Sequence, residues 1–365
     1  MKKLTLASLG LGVCLLSSLL IHCDSDSGGG TDTADMTQAG ADMTVASGDM
    51  TPTPPDLAGV APPTKVTGFM QPASAFWDVT TNSWYVSNVV TSNITDPKAF
   101  NDNNAYITKV PANLQSPDHN WFKGTAAVKL SAPFGLRVVG TKLYVGDINK
   151  LWVVDMTNPT GANTIQSGTV AAGGLASLAG YPAFLIDVAL DASGNVYAVD
   201  ATGGRVLKWN AGFAAGAMPS ATPVAADTLA GASGINVDGT KLVIAEAGIN
   251  QVLMKTGGIS TANLDGSGLK RLVNSSKMTL AYQGIEKDTV ANKYMIASPG
   301  DKIVYSVDPS TGAQTILRNV AQDGATTKKL PDHGNHDQDK TIPRSIADAI
   351  QKGAPGWICH GRCAR

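Results

Sequence analysis

The side chains best suited to bind a ligand recur at two positions of a repeated six-residue segment. The segment has six copies, and their first residues are Ala73, Phe134, Ile186, Ser233, Gln283 and Asp332. A hydroxyl, an amide and one carboxylate therefore stand among apolar side chains. Calcium and similar ions require several oxygen ligands. The first positions predict a ligand-binding pocket and no metal site.

The fourth positions of three copies add charged and amide groups. Arg137, Asn236 and Glu286 hold this position in the second, fourth and fifth copies. If the copies form a ring of six, the second and fifth stand opposite, and Arg137 could face Glu286 across a central channel. The alternative, which we favour from the sequence, is local pairing between neighbouring units, because an unpaired buried charge is costly.

Two clusters near the C-terminus are weaker candidates for a metal or cofactor site. The segment 332–337 holds two Asp and two His, but closely spaced Asp and His in a turn are usually solvated. Cys359 and Cys363 lack the order of a haem site and the spacing of a zinc site, so a disulfide is the simpler interpretation. The sequence contains no nucleophile elbow or phosphate loop. We assign no catalytic residue, metal or cofactor. The candidate channel or ligand-binding residues are Ser233, Gln283, Asp332, His333, Arg137, Asn236 and Glu286.

The elements that position these residues follow from the repeat. The copies end at residues 78, 139, 191, 238, 288 and 337, so the period is close to 50 residues. Three further β-type runs separated by turn residues follow the strong copies. Four short antiparallel strands in a unit of this length are typical of a propeller blade. We therefore predict an all-β, six-bladed β-propeller with four-stranded antiparallel blades over residues 65–337. Residues 65–70 are expected to close the ring as an outer strand.

The repeats also carry a family resemblance. The string AspAlaSerGlyAsnValTyrAlaValAsp, residues 191–200, resembles NHL-type propellers and the senescence-marker/gluconolactonase-like six-bladed family. The resemblance covers about residues 70–337 and implies the propeller fold. One fold supports many functions, so the resemblance does not by itself assign an activity.

The resemblance also implies where a metal would bind. In the calcium-dependent lactonases of this family, the ligands are a Glu, two Asn and an Asp at the first positions. Here the Glu position is Ala73, the Asn positions are Phe134 and Ile186, and the Asp position is Ser233. None of the four ligands implied by the family is present, so the resemblance does not extend to the metal site.

Residues 1–22 have the features of a signal peptide. Lys2 and Lys3 precede an apolar run that ends at Cys23. This junction resembles that of bacterial lipoproteins, in which the signal is cut before a lipid-modified cysteine, although His22 stands where a small residue is usual. A transmembrane helix is the alternative. Residues 23–64 are rich in Asp, Thr, Gly and Pro, which predicts a disordered linker with a reach of about 35 Å.

Composition and the end of the chain complete the prediction. Without the signal, 26 basic residues face 29 acidic ones, and this small negative charge argues against nucleic acid as a partner. Only two Glu and as many as 39 Gly favour strands and turns over helices. Residues 338–365 break the repeat, and 346–352 have the pattern of a short helix. An irregular or short-helical tail is therefore expected.

These features predict an exported lipoprotein of the bacterial cell envelope, facing the periplasm or the cell surface. Its membrane attachment is expected through lipid at Cys23. The propeller is interpreted as a binding or interaction domain for an unknown small molecule or envelope protein. The alternative is a divergent gluconolactonase-like hydrolase that acts on lactones through Asp332 and its neighbours. A redox propeller with a cofactor is disfavoured, because no ligand set is visible.

Overall fold

The computed structural model describes residues 66–90, 103–123, 128–159, 164–171, 173, 183–248, 255–277, 281–319 and 358–360. The regular elements in these ranges are all strands, which confirms the all-β class. A search of the same ranges for a helix that could cross a membrane found none. The predicted signal peptide (1–22) and linker (23–64), together with most of the tail, lie outside them.

Twenty of the strands form five antiparallel blades of four strands each, in the order of the chain. Blade one contains β1 (Pro72–Asp78), β2 (Ser83–Asn88), β3 (Tyr106–Pro111) and β4 (Asp118–Lys123). Blade two contains β5 (Pro133–Val139), β6 (Lys142–Asp147), β7 (Lys150–Asp155) and β8 (Ile165–Gln166). Blade three contains β9 (Leu185–Leu190), β10 (Val196–Asp200), β11 (Arg205–Trp209) and β12 (Ala221–Val224). Blade four contains β13 (Ala232–Asp238), β14 (Lys241–Glu246), β15 (Gly258–Asn263) and β16 (Lys270–Asn274). Blade five contains β17 (Gln283–Asp288), β18 (Lys293–Ser298), β19 (Ile303–Val307) and β20 (Gln314–Asn319).

Local sequence sets the turns between strands, as the hairpin of blade three shows. The Asp191 carboxylate accepts hydrogen bonds from the backbone N–H groups of Ser193 and Asn195, both at 2.9 Å. Gly194 takes a φ of +81°, which is strained for residues with a Cβ. A short Asp turn followed by glycine therefore reverses the chain between β9 and β10.

Blades two, three and four are buried on both faces, because each lies between two other described blades. In blade four, Leu242 and Ile244 pack toward blade three, while Val243 and Ala245 pack toward blade five, and all four side chains are fully buried. Burial of one such Val, Leu or Ile contributes about 1.5–3 kcal/mol. Continuous apolar runs in the sequence thus mark strands with two buried faces.

The first strands of the blades form the inner ring and run in the same direction. Equal positions of the repeat stand side by side: a Cβ on Gly135 would lie 2.4 Å from the Asp187 Cα, and one on Gly234 would lie 2.8 Å from the Gly284 Cα. No Cβ tolerates such distances, so glycine is required where neighbouring inner strands approach most closely. This packing brings the fourth positions of the five described copies to one level of the ring.

The described residues form five blades, whereas the sequence predicted six. The weak sixth copy at 332–337 lies outside the described ranges. The sixth place in the inner ring is held by a lone strand, β21 (Ile358–His360), which pairs in parallel with β1 and contacts β17. Counting motif copies overestimated the blades, because a single strand can occupy a place in the inner ring.

The N-terminal segment does not form the expected closing strand over its described residues, 66–70. Val66 and Phe69 instead pack on blade one, against a cluster that includes Trp84 and Val86. Met70 N–H donates to Asn88 Oδ1 at 3.0 Å. The segment therefore covers a face of blade one.

Candidate functional site

The first positions lie at one end of the inner ring, and three of them are apolar core. Ala73, Phe134 and Ile186 are buried in one hydrophobic cluster. The rings of Phe134 and Phe184 lie 5.0 Å apart between centroids. Hydrocarbon side chains thus fill three of the five described first positions.

The polar first positions of blades four and five are buried as well. Ser233 Oγ donates to the backbone carbonyl of Tyr282 at 2.6 Å, a bond that ties blade four to blade five. Gln283 is buried at the neighbouring position. Two further candidates, Asp332 and His333, lie outside the described residues, as does the predicted lipidation site Cys23.

The fourth positions meet in the middle of the ring. Arg137 Nη2 donates to Glu286 Oε1 at 2.9 Å, and Arg137 Nη1 donates to Glu286 Oε2 at 3.1 Å. This is a bidentate ion pair between blades two and five. The two blades stand opposite each other, because their inner strands are three places apart in an inner ring of six strands. Pairing across the channel is therefore found in place of the local pairing that the sequence favoured. The side chains of Arg137 and Glu286 are 14% and 9% exposed.

Three further side chains surround this ion pair. Asn236 Nδ2 donates to Glu286 Oε2 at 3.0 Å, and the guanidinium carbon of Arg137 lies 5.4 Å from the centroid of the Phe76 ring. Burial lowers the pKa of Arg137, but the carboxylates of Glu286 and Asp187 outweigh this effect and raise it. We call Phe76, Arg137, Asp187, Asn236 and Glu286 the central cluster. It draws one residue from each blade.

Asp187 and Phe76 were missed from the sequence. Asp187 Oδ2 accepts from the backbone N–H of Ile235 at 2.8 Å, so its buried carboxylate joins blades three and four. A signal was present: the second position is Ser or Gly in the other strong copies, and Asp187 is its one carboxylate among them. Phe76 carried no such signal, because an aromatic residue in an inner strand is ordinary core.

A second set of polar side chains holds the segments at which the inner strands begin. These residues end the second strand in blades one to four and accept hydrogen bonds from the chain that enters the same blade. Asp147 accepts from Ala132 N–H at 2.6 Å, Asp200 from Phe184 N–H at 2.9 Å, and Glu246 from Ala230 N–H at 2.7 Å. Together with Asn88 we call them the strand-end set. Their role is structural, since each one holds the start of an inner strand.

The charged groups at the centre of the ring are engaged with other side chains of the central cluster. The carboxylate of Glu286 is engaged by Arg137 and Asn236, and the guanidinium is covered on one side by Phe76. Over the described ranges, no group of three or more His, Cys, Asp or Glu side chains is placed to hold a metal ion. The buried Arg137 Nε has no hydrogen-bond partner within the described part of the chain. The central cluster therefore joins blades more than it offers reactive groups.

Comparisons with known proteins found matches among solved structures only. No protein family and no curated protein matches the sequence. Many solved structures match. One is a chain from a crystal structure of a nidogen/laminin complex, with 14% sequence identity over 58% of this chain and 74% of that chain, at a TM-score of 0.44. At this identity and score, the match supports no transfer of function.

Proposed function

We propose that this protein is a binding or interaction domain, held at the bacterial cell envelope by lipid on Cys23. The observation that carries the proposal is the closed inner ring. An ion pair joins opposite blades through its middle, and Ala73, Phe134 and Ile186 fill one end with hydrocarbon. Partners are then expected at the outer surface, where propellers have many exposed turns.

The distribution of exposed apolar side chains supports binding at one face. The inner strands of all described blades run in the same direction, and the strands within each blade are antiparallel. The turns after the first and third strands of each blade therefore lie on the same side of the ring. Within the described ranges, five of the eight large exposed hydrophobic residues lie there: Val79, Val139, Met218, Leu269 and Val290. We call these residues the turn face. Exposed apolar groups gathered on one side favour an interaction with a partner, such as an envelope protein.

The first experiment separates this proposal from lactone hydrolysis. The purified protein is melted with millimolar calcium and with chelator, and its turnover of sugar lactones is measured. A bound ion raises the melting temperature by mass action, so midpoints within about one degree are expected, without turnover. A rise of several degrees, together with lactone turnover that Asp332→Ala abolishes, would establish the hydrolase instead.

The second experiment tests the anchor and the face. Cys23→Ser is expected to release the protein from membranes of the host and to remove its lipid from the mass spectrum. A photo-crosslinking residue at Val79, Val139 or Val290 should yield one shared adduct in the host. The same residue at Met70, which is 54% exposed at the opposite end of β1, should not. Adducts that are equal from both ends would count against the turn face.

A further inference from the structure

The inner edge of β1 is paired with β21, a strand from a distant part of the sequence. Contacts run from each inner strand to the next, from β1 through β5, β9, β13 and β17, and β21 lies between β17 and β1. Its partners are Ser74 with Ile358, Ala75 with Cys359, and Phe76 with His360. The strand therefore occupies the sixth inner place by parallel pairing of three residues.

The surroundings of this place differ from those of the other five. Val243, Ala245 and Ile259 on the forward face of blade four are fully buried against blade five. Their counterparts in blade five are Met295, Ala297 and Val304, and these are only half-buried. Leu317, in the outer strand of blade five, is 45% exposed. The sixth place thus holds a strand without the packing that a full blade gives its neighbours.

We propose that the inner edge of β1 is a strand-accepting site that binds an extended peptide in parallel, and that its occupant is the C-terminal segment of this chain around residues 358–360. An open strand edge presents unpaired N–H and C=O groups and recruits a further strand by main-chain hydrogen bonds. Recognition by the backbone explains how so short a segment takes the place. The site is independent of the lipid anchor and of the turn face.

The test begins with a matched pair of variants of the full chain. Cys359→Pro removes the N–H and fixes φ at the middle of the strand, whereas Cys359→Val keeps the backbone and favours strand. Hydrogen exchange is measured at the amides of residues 74–76. We expect Cys359→Pro to lower protection at least tenfold and Cys359→Val to leave it unchanged. Equal protection in both variants, or equal loss in both, would overturn the proposal.

A synthetic peptide of residues 354–364, used in reducing buffer, then tests the site in trans. It should restore protection of residues 74–76 in the Cys359→Pro variant, and it should bind the wild-type chain at least tenfold more weakly, because there the site is occupied. The same peptide with Pro at position 359 should bind neither. Equal binding to both proteins would show nonspecific adhesion and overturn the proposal. If Cys359→Pro does not fold alone, the peptide should recover its folding, and failure to do so counts equally against the site.

Discussion

The central cluster and the strand-end set both bury carboxylates, but they satisfy them in different ways. Glu286 meets a guanidinium from the opposite blade, 149 residues away in sequence. Asp147, in contrast, accepts two backbone N–H groups and the indole N–H of Trp152 within its own blade. One set holds distant blades together, and the other holds a single blade in shape. Asp200 and Glu246 of the strand-end set also form ion pairs, but with Arg205 and Arg271 of their own blades. The two sets therefore differ in whether the partner comes from the same blade or from across the ring.

This difference has an energetic consequence. A carboxylate that accepts backbone hydrogen bonds can be replaced by an amide that keeps an acceptor oxygen, and Asn88 shows this in blade one, where it accepts from Met70 N–H. A buried carboxylate that faces a guanidinium loses its compensation when the cation is removed. Four predictions follow from this contrast, from the largest expected effect to the smallest.

Removal of the cation from the central cluster should cost the most. Arg137→Met leaves the buried Glu286 without its counter-charge, and the free energy of unfolding in urea should fall by about 3–5 kcal/mol. The double variant Arg137→Met with Glu286→Leu removes both charges and should recover most of the loss. A single variant that loses less than about 1 kcal/mol would show that the ion pair does not hold the ring.

Removal of one strand-end carboxylate should cost less. Asp200→Ala deprives the N–H of Phe184, the N–H of Gly203 and the Nε of Arg205 of their acceptor. A loss of about 2–3 kcal/mol in urea unfolding is expected, because these donors remain partly buried. Asp200→Asn is the matched control, and its loss in free energy of unfolding should be less than half of the loss caused by Asp200→Ala. Equal losses in both would mean that the charge, and not the acceptor oxygen, is essential there.

The stability contributed by Asp147 should depend on pH with a sign opposite to that of the ion-paired Asp238. Burial raises the pKa of Asp147, and the N–H donors from Ala132, Ser131 and Trp152 oppose this only in part. The folded state then binds the proton more tightly than the unfolded state. Stability relative to Asp147→Asn should therefore be greatest below the unfolded pKa, about 3.9, and should fall as pH rises through the folded pKa.

Asp238 provides the control of opposite sign. Burial opposes the effect, but Lys287 and the Tyr294 hydroxyl lower the pKa of Asp238. Stability relative to Asp238→Asn should be fully present above the unfolded pKa and should be lost as pH falls through the folded pKa. Urea unfolding from pH 3 to 8 measures both differences. The same sign for both residues would contradict the explanation of the Asp147 shift.

The smallest effect is expected for a neutral bond between neighbouring blades. Ser233→Ala removes the hydrogen bond to the Tyr282 carbonyl and should cost about 1 kcal/mol, which lowers the melting temperature by roughly 2–4 °C. Ser193→Ala, in the exposed turn of blade three, should change it by less than about one degree. A larger loss than that of Asp200→Ala would contradict the expected order of these effects.

Much of the fold could be predicted from the sequence. The β-propeller and its four-stranded blades follow from the repeat, because a blade that lies between two others buries both faces and each unit therefore repeats similar apolar runs. The strand β21 could not be predicted, since IleCysHis is too short to carry a period and its place depends on a distant edge. The expected outer strand at 65–70 failed over its described residues, because apolar Val66 and Phe69 gain as much by packing on blade one.

The candidate site was harder to predict. The sequence placed Arg137, Asn236 and Glu286 at one level of the ring but favoured local pairing for the charges. This preference was wrong, because side-chain reach across the channel depends on the diameter of the ring. Ser233 and Gln283 are buried where the repeat placed them. The role of these residues, with Asp332 and His333, in binding a ligand stays a prediction.

The pairing of β21 with β1 also bears on how the protein is made. Residues 74–76 are among the first of the propeller to leave the ribosome, and residues 358–360 are synthesised nearly 300 residues later. Blades two to five can form as they emerge, since their contacts are between neighbours in sequence. The edge of blade one must wait, and contacts between such distant residues form slowly. During that interval an unpaired edge can capture a strand from another nascent chain. Synthesis of many chains close together should therefore favour domain-swapped dimers over monomers with a closed ring.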